Sequence, residues 1–134
     1  MNELHAIGYR AEFQVIGEAA TRAALDAVAT IPVAKKEIAA RRYRTTHTYL
    51  VNDDDLRRFA EIGMIADFQA GPESSSTDYR EYLTEFIGDR ALDLLPMAKL
   101  INAGARVTLR ATGTPILCRR SASSREQSPA TGTP

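Results

Sequence analysis

Few side chains in this sequence can bind a metal ion or act as a nucleophile. The chain has two histidines, His5 and His47, and a single cysteine, Cys118. A neutral imidazole is a common metal ligand, but protein zinc sites use three or four ligands. The two histidines are 42 positions apart and no second histidine or cysteine accompanies either of them. Residue types and spacing therefore predict no complete metal site by themselves.

The other polar clusters have ordinary structural explanations. Asp53, Asp54 and Asp55 follow Asn52, a good helix N-cap, and carboxylates in a first turn complement the helix dipole. Ser74–Ser76 has no histidine or acid at a spacing typical of a catalytic triad, so we interpret it as a polar loop. Cys118 follows the last predicted element and is interpreted as a bystander thiol.

Composition excludes several classes of protein. The 134 residues carry 17 basic and 17 acidic side chains, and a pI near 6.7 leaves no basic surplus for nucleic acid or an anionic membrane. One cysteine excludes an intramolecular disulfide and a thiolate zinc cluster. No apolar run reaches the ~20 residues of a membrane span, and no signal-peptide pattern is present at the start. We expect a cytoplasmic protein without nucleic-acid or membrane partners.

Strands and helices are predicted to alternate along the chain. The predicted elements are a helix over 2–7 ended by Gly8, a strand over 11–16, a helix over 18–29, a strand over 43–51, a helix from Asn52 to Gly63, a strand over 64–69, a helix over 78–95 broken near Gly88, a helix from Pro96 to Gly104 and a strand over 106–110. Residues 32–42 are interpreted as a basic, polar connector. This order predicts an α/β fold with a parallel sheet and right-handed crossovers.

Three segments together resemble the metal-dependent amidohydrolases, in particular the amidohydrolase-3 branch. They are Gln14-Val15-Ile16-Gly17-Glu18 with the alanine-rich helix after it, Thr46-His47-Thr48 with the run from Asp55 to Gly63, and the stretch from Leu100 to Leu109. The resemblance covers about residues 1–110 and implies the C-terminal half of a (β/α)8 barrel, strands five to eight with their helices. A complete barrel takes about 250 residues, so this length accommodates only part of one. We expect a partial amidohydrolase-like α/β domain over 1–117 and a disordered tail over 118–134.

The resemblance implies a divalent metal, usually zinc, and a small-molecule amide or related substrate. In the family, histidines from strands five and six and an aspartate from strand eight help to hold the metal. His47 matches the strand-six ligand at the carboxyl end of its predicted strand, and is our candidate metal ligand; an ordinary half-buried imidazole bonded to the backbone is the competing interpretation. Gln14 stands where the family has the strand-five histidine. Residues 110–113 stand where it has the strand-eight aspartate.

His5-Ala6-Ile7-Gly8 reproduces the strand-five motif more closely than the segment at Gln14. In that register, however, the helix after the motif would fall on 11–17, which has the alternation of a strand. We therefore reject this register and interpret His5 as a surface histidine near a helix end.

Residues 119–134 contain alanine as their only apolar type, which predicts disorder. If the reading frame is shifted by one base, synonymous codons for Thr112, Gly113 and Thr114 can encode Asp-Trp-Asp. This is similar to the family's amino-acid sequence after strand eight. We expect a frameshift near residue 110, which the gene's codons can test.

Three hypotheses for function remain open. The first is a truncated, frameshifted part of a metal-dependent hydrolase of non-peptide C–N bonds, inactive by itself. The second is a non-catalytic α/β binding module. The third is a subunit that completes a barrel with a separate N-terminal chain. A half barrel also exposes two sheet edges, through which we expect self-association.

Overall fold

The computed structural model describes residues 1–69 and 76–110, and within them strands alternate with helices as predicted. The elements are α1 Asn2–Ala6, β1 Glu12–Val15, α2 Glu18–Ala29, α3 Lys35–Arg41, β2 Arg44–His47, α4 Asp53–Ile62, β3 Ile65–Gln69, α5 Thr77–Ile87, the short 3-10 helix Gly88–Asp93, α6 Met97–Asn102 and β4 Arg106–Arg110. No helix in these two ranges combines the length and apolar character needed to cross a membrane. The predicted tail, Cys118 and the loop residues Ser74 and Ser75 lie outside the described residues.

The four strands form one parallel sheet in the order β1-β2-β3-β4. Because the order never reverses, right-handed crossovers place the connecting helices on one face. The hydrophobic core lies between that face and the helices. Its buried members are Leu25, Val28, Ile31, Ile38, Tyr43, Phe59, Met64, Ala66, Phe68 and Leu100. This mixed α/β arrangement confirms the predicted fold class at the level of a parallel sheet, and is consistent with part of an α/β barrel.

The opposite face of the sheet carries a charged network. Asp67 on β3 is fully buried; it accepts a 2.6 Å hydrogen bond from Thr108 Oγ1 and another from Arg110 Nε, and it forms an ion pair with Arg44 at 3.7 Å. Arg110 Nη2 also donates to Glu12 Oε1 at 2.6 Å. Glu12 and Arg110 belong to the two outer strands, which would be about 14 Å apart in a flat sheet at ~4.8 Å per strand. Their contact therefore indicates that this face is concave.

Two predicted boundaries were wrong. The basic connector contains helix α3, Lys35–Arg41, whose Ile38 is buried in the core; a single large apolar residue in the helix gave too weak a periodic signal. The strand predicted over 43–51 ends at His47, because His47 and Thr48 both adopt positive φ, at 66° and 49°. Residues with that backbone conformation do not continue a strand.

The interpretation of the acidic run in the first turn of α4 also needs a correction. Asp53 and Asp54 are exposed in the first turn of the helix, as helix-dipole complementarity predicts, but Asp55 is only 1% exposed. Its carboxylate accepts hydrogen bonds from Arg22 Nε at 2.8 Å and from Arg58 Nη1 at 2.9 Å. Asp55 thus joins α4 to α2, a contact between elements that a sequence pattern does not reveal.

Candidate functional site

His47 is the last residue of β2, at the carboxyl end of the sheet. Its Cα partner on β1 is Val15, and Gln14 lies one position earlier, opposite Thr46. Gln14 is exposed and Val15 is buried, as expected from the alternation of side chains along a strand. The candidate ligand and the position that replaces the family's strand-five histidine therefore lie on neighbouring strands at nearly the same level.

The backbone turn at His47–Thr48 is held by hydrogen bonds. Thr48 N–H donates to the carbonyl oxygens of Val15 at 3.0 Å and of Thr46 at 2.9 Å. Thr48 Oγ1 donates to the carbonyl oxygen of Asp67 at 3.0 Å and is 2.8 Å from Thr45 Oγ1. Because Thr48 donates its only hydroxyl proton to the Asp67 carbonyl oxygen, the Thr45 hydroxyl must donate to the Thr48 hydroxyl oxygen. This buried chain links β1, β2 and β3 at the point where His47 leaves the sheet.

Replacing Thr48 with valine should destabilise the chain and alter the environment of His47. Valine keeps the branched shape but leaves the Thr45 hydroxyl and the Asp67 carbonyl without their buried partner, a loss of about 1–3 kcal/mol. Urea unfolding measures the stability, and NMR of the imidazole measures the change at His47. Thr48→Ser, which keeps the hydroxyl, is the matched control and should restore the His47 resonances. Equal effects of the two variants on His47 would contradict this role for the hydroxyl.

The His47 imidazole is half-buried and has an uncommitted nitrogen. Its ring meets Tyr49 edge-on, with centroids 5.6 Å apart and planes at 84°. His47 Nδ1 is buried and has no hydrogen-bond partner among the described residues. Buried polar atoms in folded proteins are normally bonded, so this nitrogen needs a water, a metal ion or another partner. The orphaned Nδ1 is consistent with a metal ligand, and it makes no hydrogen bond to a backbone group of the described residues.

The described residues nevertheless do not provide a complete metal centre. Within 1–69 and 76–110, no group of three or more histidine, cysteine, aspartate or glutamate residues is arranged to hold a metal ion. A cavity of about 120 Å³ lies at the carboxyl end of β1 and β2, lined in part by Glu18, Asn52 and Arg90, and Arg90 forms an ion pair with Glu18 at 3.1 Å. A larger cavity of about 570 Å³ lies between α4 and α6 and is not lined by His47.

His5 is at the other end of the sheet. It lies in α1, and its Nδ1 is 3.1 Å from the hydroxyl of Tyr43, with the two rings stacked at 6.0 Å. Tyr43 immediately precedes β2, whereas His47 ends it, so the strand separates the two histidines. The structure supports rejecting the register that begins at His5. His5 lies in the last turn of α1, near a helix end as expected, and is half-buried against Tyr43.

A model of a protein family described as the amidohydrolase family matches residues 1–111. The match includes all four strands, His47 and the segment at Gln14. No curated protein and no solved structure matches the chain significantly.

Proposed function

Because the chain belongs to the amidohydrolase-3 branch of the amidohydrolase family, we propose that it is part of a metal-dependent hydrolase of non-peptide C–N bonds and is inactive as an isolated chain. The family as a whole acts on small-molecule substrates and is generally metal-dependent. In this proposal β1–β4 correspond to barrel strands five to eight, and the protein is located in the cytoplasm. His47 is the metal ligand that this chain contributes.

The position of His47 carries the proposal. It ends β2 at the carboxyl edge of a parallel sheet, where barrel active sites are built, and its buried Nδ1 has no hydrogen-bond partner within 1–69 and 76–110. Its backbone has positive φ, an uncommon conformation for a residue other than glycine, and such strain is found preferentially at functional sites. This orientation is fixed by the buried Thr45–Thr48–Asp67 chain rather than by an exposed loop.

The donors present do not fit a tightly bound zinc ion. A zinc site of this type needs several imidazole or carboxylate ligands, and the matched positions offer His47 and the neutral amide of Gln14, a far weaker donor. We therefore assign no catalytic step to a metal in this chain. The absence of activity that we propose follows from this ligand set.

A zinc titration of the full chain tests the role of His47. We expect weak binding that is far from saturated at equimolar zinc and protein, with the largest NMR shifts on the His47 imidazole. His47→Ala should abolish these shifts. His5→Ala is the matched control, since it removes the other histidine, and should leave them unchanged. Shifts that centre on His5, or that persist without His47, would contradict the proposed ligand.

The frameshift belongs to the same proposal. Residues 111–134 lie outside the described structure. Strand β4 ends at Arg110, the position from which the family's amino-acid sequence is expected to continue with Ser-Asp-Trp. Reading the gene from codon 100 onward tests it directly. Codons that do not encode Asp-Trp in the shifted frame would exclude this explanation.

A further inference from the structure

We propose that two copies of this chain close an eight-stranded ring, in which β4 of each copy lies beside β1 of the other. Within the described residues β1 pairs with β2 and β4 pairs with β3, so each outer strand has a free edge. Full closure is the way in which a sheet removes its edges. Two four-stranded sheets with the helices on one face would together supply eight strands, the number in an α/β barrel.

The concave face sets the register of the contact. Arg110 Nη2 reaches Glu12 Oε1 in the same chain, so the two side chains lie at the same height inside the sheet. A twofold axis along the centre of the ring places the second copy's Glu12 at that height as well. Because β4 would then adjoin the second copy's β1, Arg110 would lie directly beside that copy's Glu12. In a symmetric dimer, the contact between Arg110 of one copy and Glu12 of the other therefore occurs twice.

The two edges have complementary charge. On the concave face β4 carries Arg110, whereas β1 carries Glu12, with which Arg110 already forms an ion pair in the single chain. The hydrogen bond to Glu12 is the main cause that raises the pKa of Arg110, so this arginine remains charged. The contact within one chain spans the width of the sheet. The contact between copies would instead join adjacent strands, about 4.8 Å apart.

The same register also covers exposed apolar groups. With Arg110 beside Glu12 of the second copy, Leu109 and Val107 on β4 adjoin that copy's Ala11 and Tyr9. Leu109 is 62% exposed and Tyr9 is 64% exposed in the single chain. Alternation along β4 places Val107 and Leu109 on the helix-bearing side of the sheet. Burying them together would add a hydrophobic contribution to the ion pairs on the concave side.

Ring closure would not complete the metal site. The two copies of His47 would stand on strands two and six, which are diametrically opposite in an eight-stranded ring, so they would not share one ion. This inference goes beyond the proposed function. A result that disproves the dimer would therefore leave the proposed zinc ligand untouched, and a result that disproves the zinc ligand would leave the dimer untouched.

The solution mass of the chain is the first test. Light scattering should give twice the 14.7 kDa chain mass. Glu12→Arg should increase the dimer dissociation constant about tenfold or more, because it places two arginines together at each contact. Glu37→Arg makes the same charge change on the exposed side of α3 and should leave the mass unchanged. A monomer, or a broad series of larger oligomers, would overturn the proposal.

Cross-linking locates the interface without inverting a charge. In a Cys118→Ser background, a Glu12→Cys chain and an Arg110→Cys chain should form a mixed disulfide dimer when combined, since adjacent strands fall within the 4.4–6.8 Å Cα range of a disulfide. Each variant alone should not cross-link. Circular dichroism shows whether both variants are folded. A folded mixture that dimerises without the mixed band would overturn this interface.

Discussion

Asp67→Ala is expected to cause the largest loss of stability of any single substitution on the sheet. The Asp67 carboxylate is fully buried and contacts Thr108, Arg110 and Arg44, so it joins the three strands β2, β3 and β4. The Arg44 side chain is only 15% exposed and would lose its nearest carboxylate. Removing one partner of a buried ion pair costs about 3–5 kcal/mol, because the remaining charge is poorly solvated.

This loss is large beside the total stability of a small domain, about 5–15 kcal/mol. Urea unfolding followed by circular dichroism measures it. Asp67→Asn should be milder, since the amide keeps the shape and can still accept the Thr108 hydrogen bond. Asp53→Ala is the matched control, because Asp53 also forms an ion pair, with Lys99 at 3.4 Å, but its side chain is 79% exposed. A loss no greater than that of the control would contradict the buried network.

Asp55→Ala is expected to have the second largest effect, by separating α2 from α4. Asp55 accepts hydrogen bonds from Arg22 and Arg58, and Arg58 also donates to Asp26 on α2 at 2.5 Å. The hydrogen bond to Asp55 is the largest cause that raises the pKa of Arg58, and the bond to Asp26 adds to it. We expect a loss of about 2–4 kcal/mol, which is less than for Asp67 because both arginines can regain water.

A double-mutant cycle separates this clamp from simple loss of packing. Arg22→Ala alone should cost less than Asp55→Ala, and the double variant should cost clearly less than the sum of the two. Such non-additivity is the sign of direct contact. Additive losses in urea unfolding would show that Asp55 does not act through Arg22.

The regular elements could be predicted because their signals are local. Helix α2 begins at Glu18 and ends at Ala29, as predicted, since its apolar positions follow the helical period between Gly17 and Pro32. Gly8 and Gly63 have positive φ where helices were predicted to end. The parallel sheet was predicted from the alternation of strands and helices. This signal is not local, because it is visible only along the whole chain.

The site could be predicted only in part, because its geometry depends on contacts between strands. The resemblance identified His47 as the candidate, and the structure places it at the end of β2; its role as a metal ligand stays a prediction. The tandem positive φ at His47 and Thr48 depends on bonds to Val15 and Asp67, two residues from other strands. The importance of Asp67 was not foreseen, because a lone acid within a strand gives no sign of which cations will surround it.

We propose that this chain, a member of the amidohydrolase family, contributes one metal ligand, His47, and by itself catalyses no metal-dependent hydrolysis. The most direct measurement is hydrolysis of a panel of small amides and cyclic amides by the purified 134-residue chain with added zinc, beside His47→Ala and zinc alone. We predict rates equal to those of zinc alone for both proteins. Zinc-dependent turnover by the chain that is lost in His47→Ala would contradict the account.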